Sequence, residues 1–203
     1  MFICFEGIAG AGKTTQVKIL EKYLKTKKLK TFVSAAYENK RRNLVSNFIN
    51  KANIKQNKEA MMFLFQTLHA AQREEVLTAL NKKEVVIADR WRYSFWTYHL
   101  QKKTFNGDEI IMKKMDELAF KSLNPDICFL LNLSPQLAYE RYLKREKKIN
   151  ESGLNLVDFN YFKSVVKMYK KIAELNCWEI VDASNDEKYV FDQIKKIIDK
   201  KVC

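Results

Sequence analysis

Three of the chain's five glycines fall within FEGIAGAGKTTQ, the stretch covering residues 5–16. No other feature restricts the fold so sharply. Gly7, Gly12, Lys13 and Thr14 satisfy the spacing G-x-x-x-x-G-K-[ST] between an apolar run at 2–6 and an amphipathic one at 13–28. A strand that turns through glycines into a helix aims backbone N–H groups and the positive end of the helix dipole at one anion. Lys13 can then reach the β- and γ-phosphates of a nucleoside triphosphate, and the Thr14 hydroxyl can ligate Mg²⁺. A glycine turn with an incidental lysine would not need this strand–loop–helix setting.

Apolar runs of strand length recur at 2–6, 30–35, 84–88, 126–132 and 178–182. They lack strict alternation, as strands buried on both faces of a parallel sheet do. Between them, apolar positions return with helical period over 13–28, 60–80, 108–122, 135–148, 157–175 and 186–201. Val17, Leu20 and Leu24 share one face of the first of these. Strands alternating with helices along the whole length predict βαβ units and a layered α/β fold. With 203 residues and no repeat or low-complexity linker, residues 1–203 are expected to form one domain. The hydrophilic stretch KREKKINESGLN, residues 144–155, interrupts two helices and is expected to be a lid.

The formal charge of +13 invites a nucleic-acid reading. The lysines are spread along helical faces, as in KILEKYLKTKKLK, and no nucleic-acid-binding motif accompanies them. A solvated surface is expected, with no nucleic-acid partner, in a field that attracts polyanionic small substrates. No apolar run reaches the roughly 18–20 residues that span a bilayer, so no membrane association is expected. MFICFEG has neither the basic flank nor the cleavage site of a signal peptide. Cys4, Cys128, Cys177 and Cys203 lack metal-ligand spacing, and His69 and His99 add no zinc pattern. The expected compartment is reducing cytoplasm.

The run VVIAD ends in Asp89, and Arg90 follows it. A carboxylate at the end of a strand beside a phosphate loop can hold Mg²⁺ through water, although such an Asp can also cap a helix. Arg90 falls where phosphates should converge. A GTPase needs an NKxD-type base reader after a strand, and NKKE at 81–84 precedes one. Motor and recombinase ATPases are usually larger and carry a polymer-binding surface. A small kinase that moves the γ-phosphoryl group of ATP to a small acceptor remains.

Further segments sharpen this. FLFQTLHAAQ at 63–72, DRWRYSFWTY at 89–98, NPDICFLLNLSPQLAYERYLKRE, FNYFKSVVKMYKKIA and WEIVDAS follow the phosphate loop in order. Together they resemble the thymidylate kinase family of nucleoside monophosphate kinases. The resemblance implies a P-loop α/β/α sandwich of three layers, with a five-stranded parallel sheet and a lid. It implies a homodimer, ATP with Mg²⁺ as donor, and a nucleoside monophosphate acceptor, dTMP going to dTDP. By position, Gly7, Gly10, Ala11, Gly12, Lys13, Thr14 and Thr15 would cradle ATP, and Thr14 and Asp89 would hold the metal. Lys13, Asp89, Arg90 and the lid's Arg145 would carry catalysis. Arg141 matches an arginine that packs on adenine, with Ala183 and Ser184 at the adenine edge. Ala9, Phe65, His69, Arg90, Ser94 and Tyr98 would form the acceptor site, Phe65 as the stacking aromatic. Gly10 leaves uncharged a loop position that carries Arg in another branch of the family, so a lid cation would be needed. For Arg145 a plain solvated lid surface is the alternative. An acceptor phosphate that is already ionised needs no general base, so in-line positioning and well-placed cations suffice.

Three departures from the family pattern fall on the acceptor side. Ala9 stands where an acid is usual, and His69 where an Arg reads the base. AAYENKRRNL at 35–44 replaces an Arg-Glu-Pro-Gly-Gly phosphate grip. Lys40, Arg41 and Arg42 either supply the missing grip or are exposed charges at a helix start. Two other readings stay open: a kinase for another deoxynucleoside, nucleoside or modified monophosphate, and a non-kinase P-loop protein that binds nucleotide or nucleic acid.

Overall fold

Every residue of the first strand, β1 (Phe2–Glu6), is buried. Ile3 and Phe5 pack with Leu20, Leu24 and Phe129 in one apolar layer. Phe2 and Cys4 pack with Val86, Trp91 and Phe120 in another. Successive strand residues point to opposite faces, so a strand covered on both sides must be apolar throughout. That is why the sequence shows apolar runs without alternation. The computed structural model describes residues 1–35, 39–101, 109–149 and 158–202, with side chains described except at 39–42, 58, 98–101, 109, 145–149 and 202.

β2 (Thr31–Ala35), β3 (Val85–Asp89), β4 (Ile127–Asn132) and β5 (Glu179–Asp182) join β1 in the order β2-β3-β1-β4-β5, every pair parallel. Each strand ends within one residue of its expected limits. Six helices fall where the apolar period places them: Lys13–Thr26, Lys58–Asn81, Glu109–Phe120, Pro135–Ile149, Phe159–Leu175 and Glu187–Val202. Two more, Asn39–Lys51 and Arg92–Gln101, lie outside the stretches expected to be helical. In chain order the eight helices described are α1 (Lys13–Thr26), α2 (Asn39–Lys51), α3 (Lys58–Asn81), α4 (Arg92–Gln101), α5 (Glu109–Phe120), α6 (Pro135–Ile149), α7 (Phe159–Leu175) and α8 (Glu187–Val202). α1, α7 and α8 supply one layer over the sheet, and α3 and α5 supply the other.

All five strands run the same way, so their C-terminal ends share one edge. Ligands of open α/β sheets bind beyond that edge, where strand order reverses. Here the reversal lies at β1, with β3 on one side and β4 on the other. The loop after β1 and the Asp89–Arg90 pair after β3 therefore meet at one place. Among the described residues, no helix is long and apolar enough to cross a membrane.

Candidate active site

The loop between β1 and α1 curls over its own lysine. Lys13 is buried, and its Nζ donates to the carbonyls of Gly7 at 2.9 Å and Ile8 at 2.8 Å. Gly12, at φ +89°, turns the chain into α1 through the left-handed region that glycine tolerates best. Gly10 is needed for space as well as for conformation. At φ +85° it lies against α6, and a Cβ there would sit 2.7 Å from the Ala138 carbonyl oxygen and 3.2 Å from the Arg141 Cβ. The uncharged position noted in the sequence is thus a close helix contact with no room for a side chain. Gly7 and Ala11 are buried beneath the loop, and the Ala11 N–H donates to the Ile8 carbonyl at 3.2 Å.

Parallel pairing of β1 with β3 puts Phe5 opposite Asp89, which brings the phosphate loop and the Asp89–Arg90 pair together at the strand ends. The exposed Thr14 hydroxyl donates to Asp89 Oδ2 at 2.5 Å. A hydroxyl and a carboxylate held together beside a phosphate loop are the hard oxygen donors that Mg²⁺ takes alongside nucleotide phosphates. The residues present therefore fit that metal.

Arg90 breaks the strand by adopting φ +73°, a left-handed conformation uncommon for a non-glycine residue. Its N–H still donates to the Phe5 carbonyl at 3.0 Å, so the turn is tied to β1. Its Nη1 donates at 3.0 Å to each of three acceptors: the Gly7 carbonyl, the Ser94 hydroxyl and the Tyr169 hydroxyl. Beneath it lies Glu6, fully buried. Glu6 Oε1 accepts from the N–H groups of Trp91 (2.9 Å) and Ser94 (3.2 Å). Its Oε2 accepts from the hydroxyls of Ser94 (2.6 Å) and Tyr169 (3.2 Å). Burial pushes the Glu6 carboxyl up from its ordinary range, while Arg90, Ser94, the Trp91 N–H and Lys13 pull it back down.

A cleft of about 970 Å³ opens over this loop. Ala9, Gly10, Gly12, Lys13, Thr14, Thr15, Asp89, Arg90 and Arg141 form one part of its wall. The other part comes from α2, α3 and their neighbours: Val45, Ile49, Met61 and Phe65 are apolar, while Ser46, Asn50 and Lys55 are polar. Arg141 Nη1 and Nη2 donate to the carbonyls of Ala183 (3.1 Å) and Ser184 (3.2 Å). The three residues assigned to the adenine side are thereby brought into contact. Ala183 itself is buried, so what it presents to Arg141 is backbone.

Two acceptor-side residues do not line the cleft. His69 is buried on α3, its ring 5.0 Å from that of Phe120 and 6.3 Å from that of Phe95. Its Nδ1 has no hydrogen-bond partner, and burial drives its pKa down to about 4. The helical spacing from Phe65 puts His69 one turn further along α3, but in the apolar interior. Ser94 is also buried and spends its hydroxyl on Glu6, Arg90 and Tyr169. It holds the arginine and does not face the cleft. The side chains of Tyr98, Arg145, Lys40, Arg41 and Arg42 lie outside the described residues, as does the stretch 150–157. The first part of the expected lid, up to Ile149, continues α6.

Glu6, Tyr169, Lys55 and the α2 wall are site features the sequence reading does not single out. Glu6 has only a weak signal, an acid closing an apolar strand run, since Asp89 and Asp182 close strands in the same way without being buried. Tyr169 has none, because it lies 79 residues from the Arg90 it contacts.

A family model described as thymidylate kinase matches residues 5–194. Among curated relatives, the thymidylate kinase of Thermosipho melanesiensis is 33% identical, covering 98% of this chain and 98% of its own length. That of Clostridium novyi is 29% identical over 96% of each chain. That of Prochlorococcus marinus strain MIT 9301 is 29% identical over 97% of this chain and 94% of its own.

Proposed function

The chain belongs to the thymidylate kinase family, and on that premise we propose that it transfers the γ-phosphoryl group of ATP to dTMP, giving ADP and dTDP. The observation that carries this is the meeting of Lys13, Thr14, Asp89 and Arg90 in one cleft that Phe65 also lines. Phosphate-binding groups and an aromatic ring thus share one space.

An oxygen of the acceptor phosphate attacks the γ-phosphorus, and the bond from that phosphorus to the β–γ bridging oxygen breaks, leaving ADP. The nucleophile is already an anion, so no side chain has to remove a proton. What this chain supplies is alignment and positive charge. Lys13 and the loop N–H groups hold the donor's phosphates, and Arg90 stands between donor and acceptor phosphates. Thr14 and Asp89 would hold Mg²⁺, which when bound neutralises charge on the phosphates. Phe65 offers a face for the acceptor base, and Arg141 covers the adenine side. Arg145 is assigned to the transferring group from the resemblance.

The same reading takes residues 1–203 as one kinase domain with a lid near 144–155, working as a homodimer in the cytoplasm. An ADP-coupled assay over a panel of nucleoside monophosphates tests the assignment, with turnover expected for dTMP. Turnover of another monophosphate with none of dTMP would overturn the acceptor. No turnover of any would overturn the kinase.

A further inference from the structure

Arg90 is the only described residue of the cleft whose guanidinium is anchored from beneath by a buried carboxylate network, and the anchor reaches it from three separate elements. Glu6 ends β1 and Gly7 follows it, while Ser94 belongs to α4 and Tyr169 to α7. We infer that Tyr169 is a positioning residue for the phosphoryl transfer: its hydroxyl, set between Glu6 and Arg90, fixes the guanidinium that grips the phosphates.

The geometry supports this in three ways. Tyr169 is 1% exposed, so its hydroxyl is shielded from bulk water. That hydroxyl lies 3.0 Å from Arg90 Nη1, 2.9 Å from Ser94 Oγ and 3.2 Å from Glu6 Oε2, so one group touches the side chains of all three. A phenol can accept from the guanidinium while donating toward the carboxylate, a pairing no hydrophobic residue offers. The ring meanwhile belongs to the apolar layer over the sheet and would be replaced in full by phenylalanine. Packing and positioning are therefore separable at this residue.

Arg90 also needs holding. It sits at φ +73°, a conformation that a non-glycine residue keeps only where its surroundings dictate it. A guanidinium on a long side chain that is not fixed loses catalytic value through displacements of about 1 Å. Ser94 and Tyr169 approach the same Nη1 from α4 and α7, which pack against each other. Their convergence leaves the guanidinium little freedom.

The inference rests on the kinase reading for its substrate, and the test keeps the two apart. Tyr169→Phe, Arg90→Lys and the double variant are compared with the wild-type protein. Tyr169→Phe is expected to lower kcat about tenfold or more, the scale of one charge-assisted hydrogen bond, with its Tm within a few degrees of wild type. In the double variant Tyr169→Phe should add little to the loss from Arg90→Lys, because it acts through Arg90. Additive losses, or a fall in Tm with kcat unchanged, would make Tyr169 a packing residue and overturn the inference. If Tyr169→Phe does not fold, Ser94→Ala removes the other hydroxyl bridging the same pair and must show the same non-additivity with Arg90→Lys. If the wild-type protein turns over no monophosphate, the kinase reading falls. The same cycle measured as ADP and dTMP binding by calorimetry then decides whether Tyr169 acts through Arg90.

Discussion

The Thr14 hydroxyl donates to Asp89 Oδ2 at 2.5 Å, joining the first turn of α1 to the end of β3 across 75 residues of sequence. The pairing follows from sheet register, since Phe5 and Asp89 stand opposite each other on neighbouring parallel strands. Asp89→Asn keeps the shape and removes the charge. It should lower turnover about 10–100-fold, the usual cost of a metal-supporting group, and raise the Mg²⁺ needed for half-maximal rate. A Mg²⁺ titration of the variant checks this. An unchanged Mg²⁺ requirement would show that Asp89 caps structure only.

Lys13 has a simpler role to test. Its Nζ holds two carbonyls of the loop, yet α1 is anchored independently by Val17, Leu20 and Leu24 in the apolar layer. Lys13→Ala should therefore cut turnover about 10²–10³-fold while circular dichroism and Tm stay close to wild type. Retained turnover would show that the loop grips phosphate without its lysine.

Much of this arrangement is readable in the sequence, and the exceptions have physical reasons. The strands show because burial on both faces leaves an uninterrupted apolar run. α2 does carry a short helical pattern at Leu44, Val45, Phe48 and Ile49, set among polar and basic residues and left unassigned above. α4 does not show: its rings contact several neighbours at once, Phe95 toward Met62 and Met112, Tyr93 toward Trp178. No single face then carries the period. The phosphate-binding half of the site lies in one contiguous loop and one strand end, so spacing reveals it. The acceptor half and the support beneath Arg90 are assembled from α2, α3, α4 and α7, and only the fold brings them together.

Gly10 is where the loop meets α6. A methyl group there would stand 2.7 Å from a backbone oxygen, which cannot rotate away as a side chain can. The residue's φ of +85° adds a conformational cost for any L side chain. Gly10→Ala should destabilise the protein by about 2–4 kcal/mol, combining overpacking with left-handed strain. Gly12→Ala meets no atom within 4 Å and should cost only the conformational part. Thermal unfolding of the two variants compares them directly. Equal losses would mean that the contact with α6 relaxes freely.

His69 carries a pH signature. Burial holds its pKa down to about 4, against about 6.5 in an unfolded chain, so the folded protein keeps it neutral. Between these values the unfolded state binds the extra proton. The favourable contribution is complete above about pH 6.5 and is lost as pH falls toward about 4, reaching up to about 3 kcal/mol. His69→Phe removes this term. Its stability relative to wild type should therefore rise as pH drops through that window in denaturant titrations, and a difference independent of pH would contradict the buried neutral ring. His69→Arg places a permanent charge between Phe120 and Phe95, and should lower Tm without tightening dTMP binding. If that variant keeps its Tm and binds dTMP more tightly, the side chain at 69 reaches the acceptor base, and the base is read from the inner face of α3.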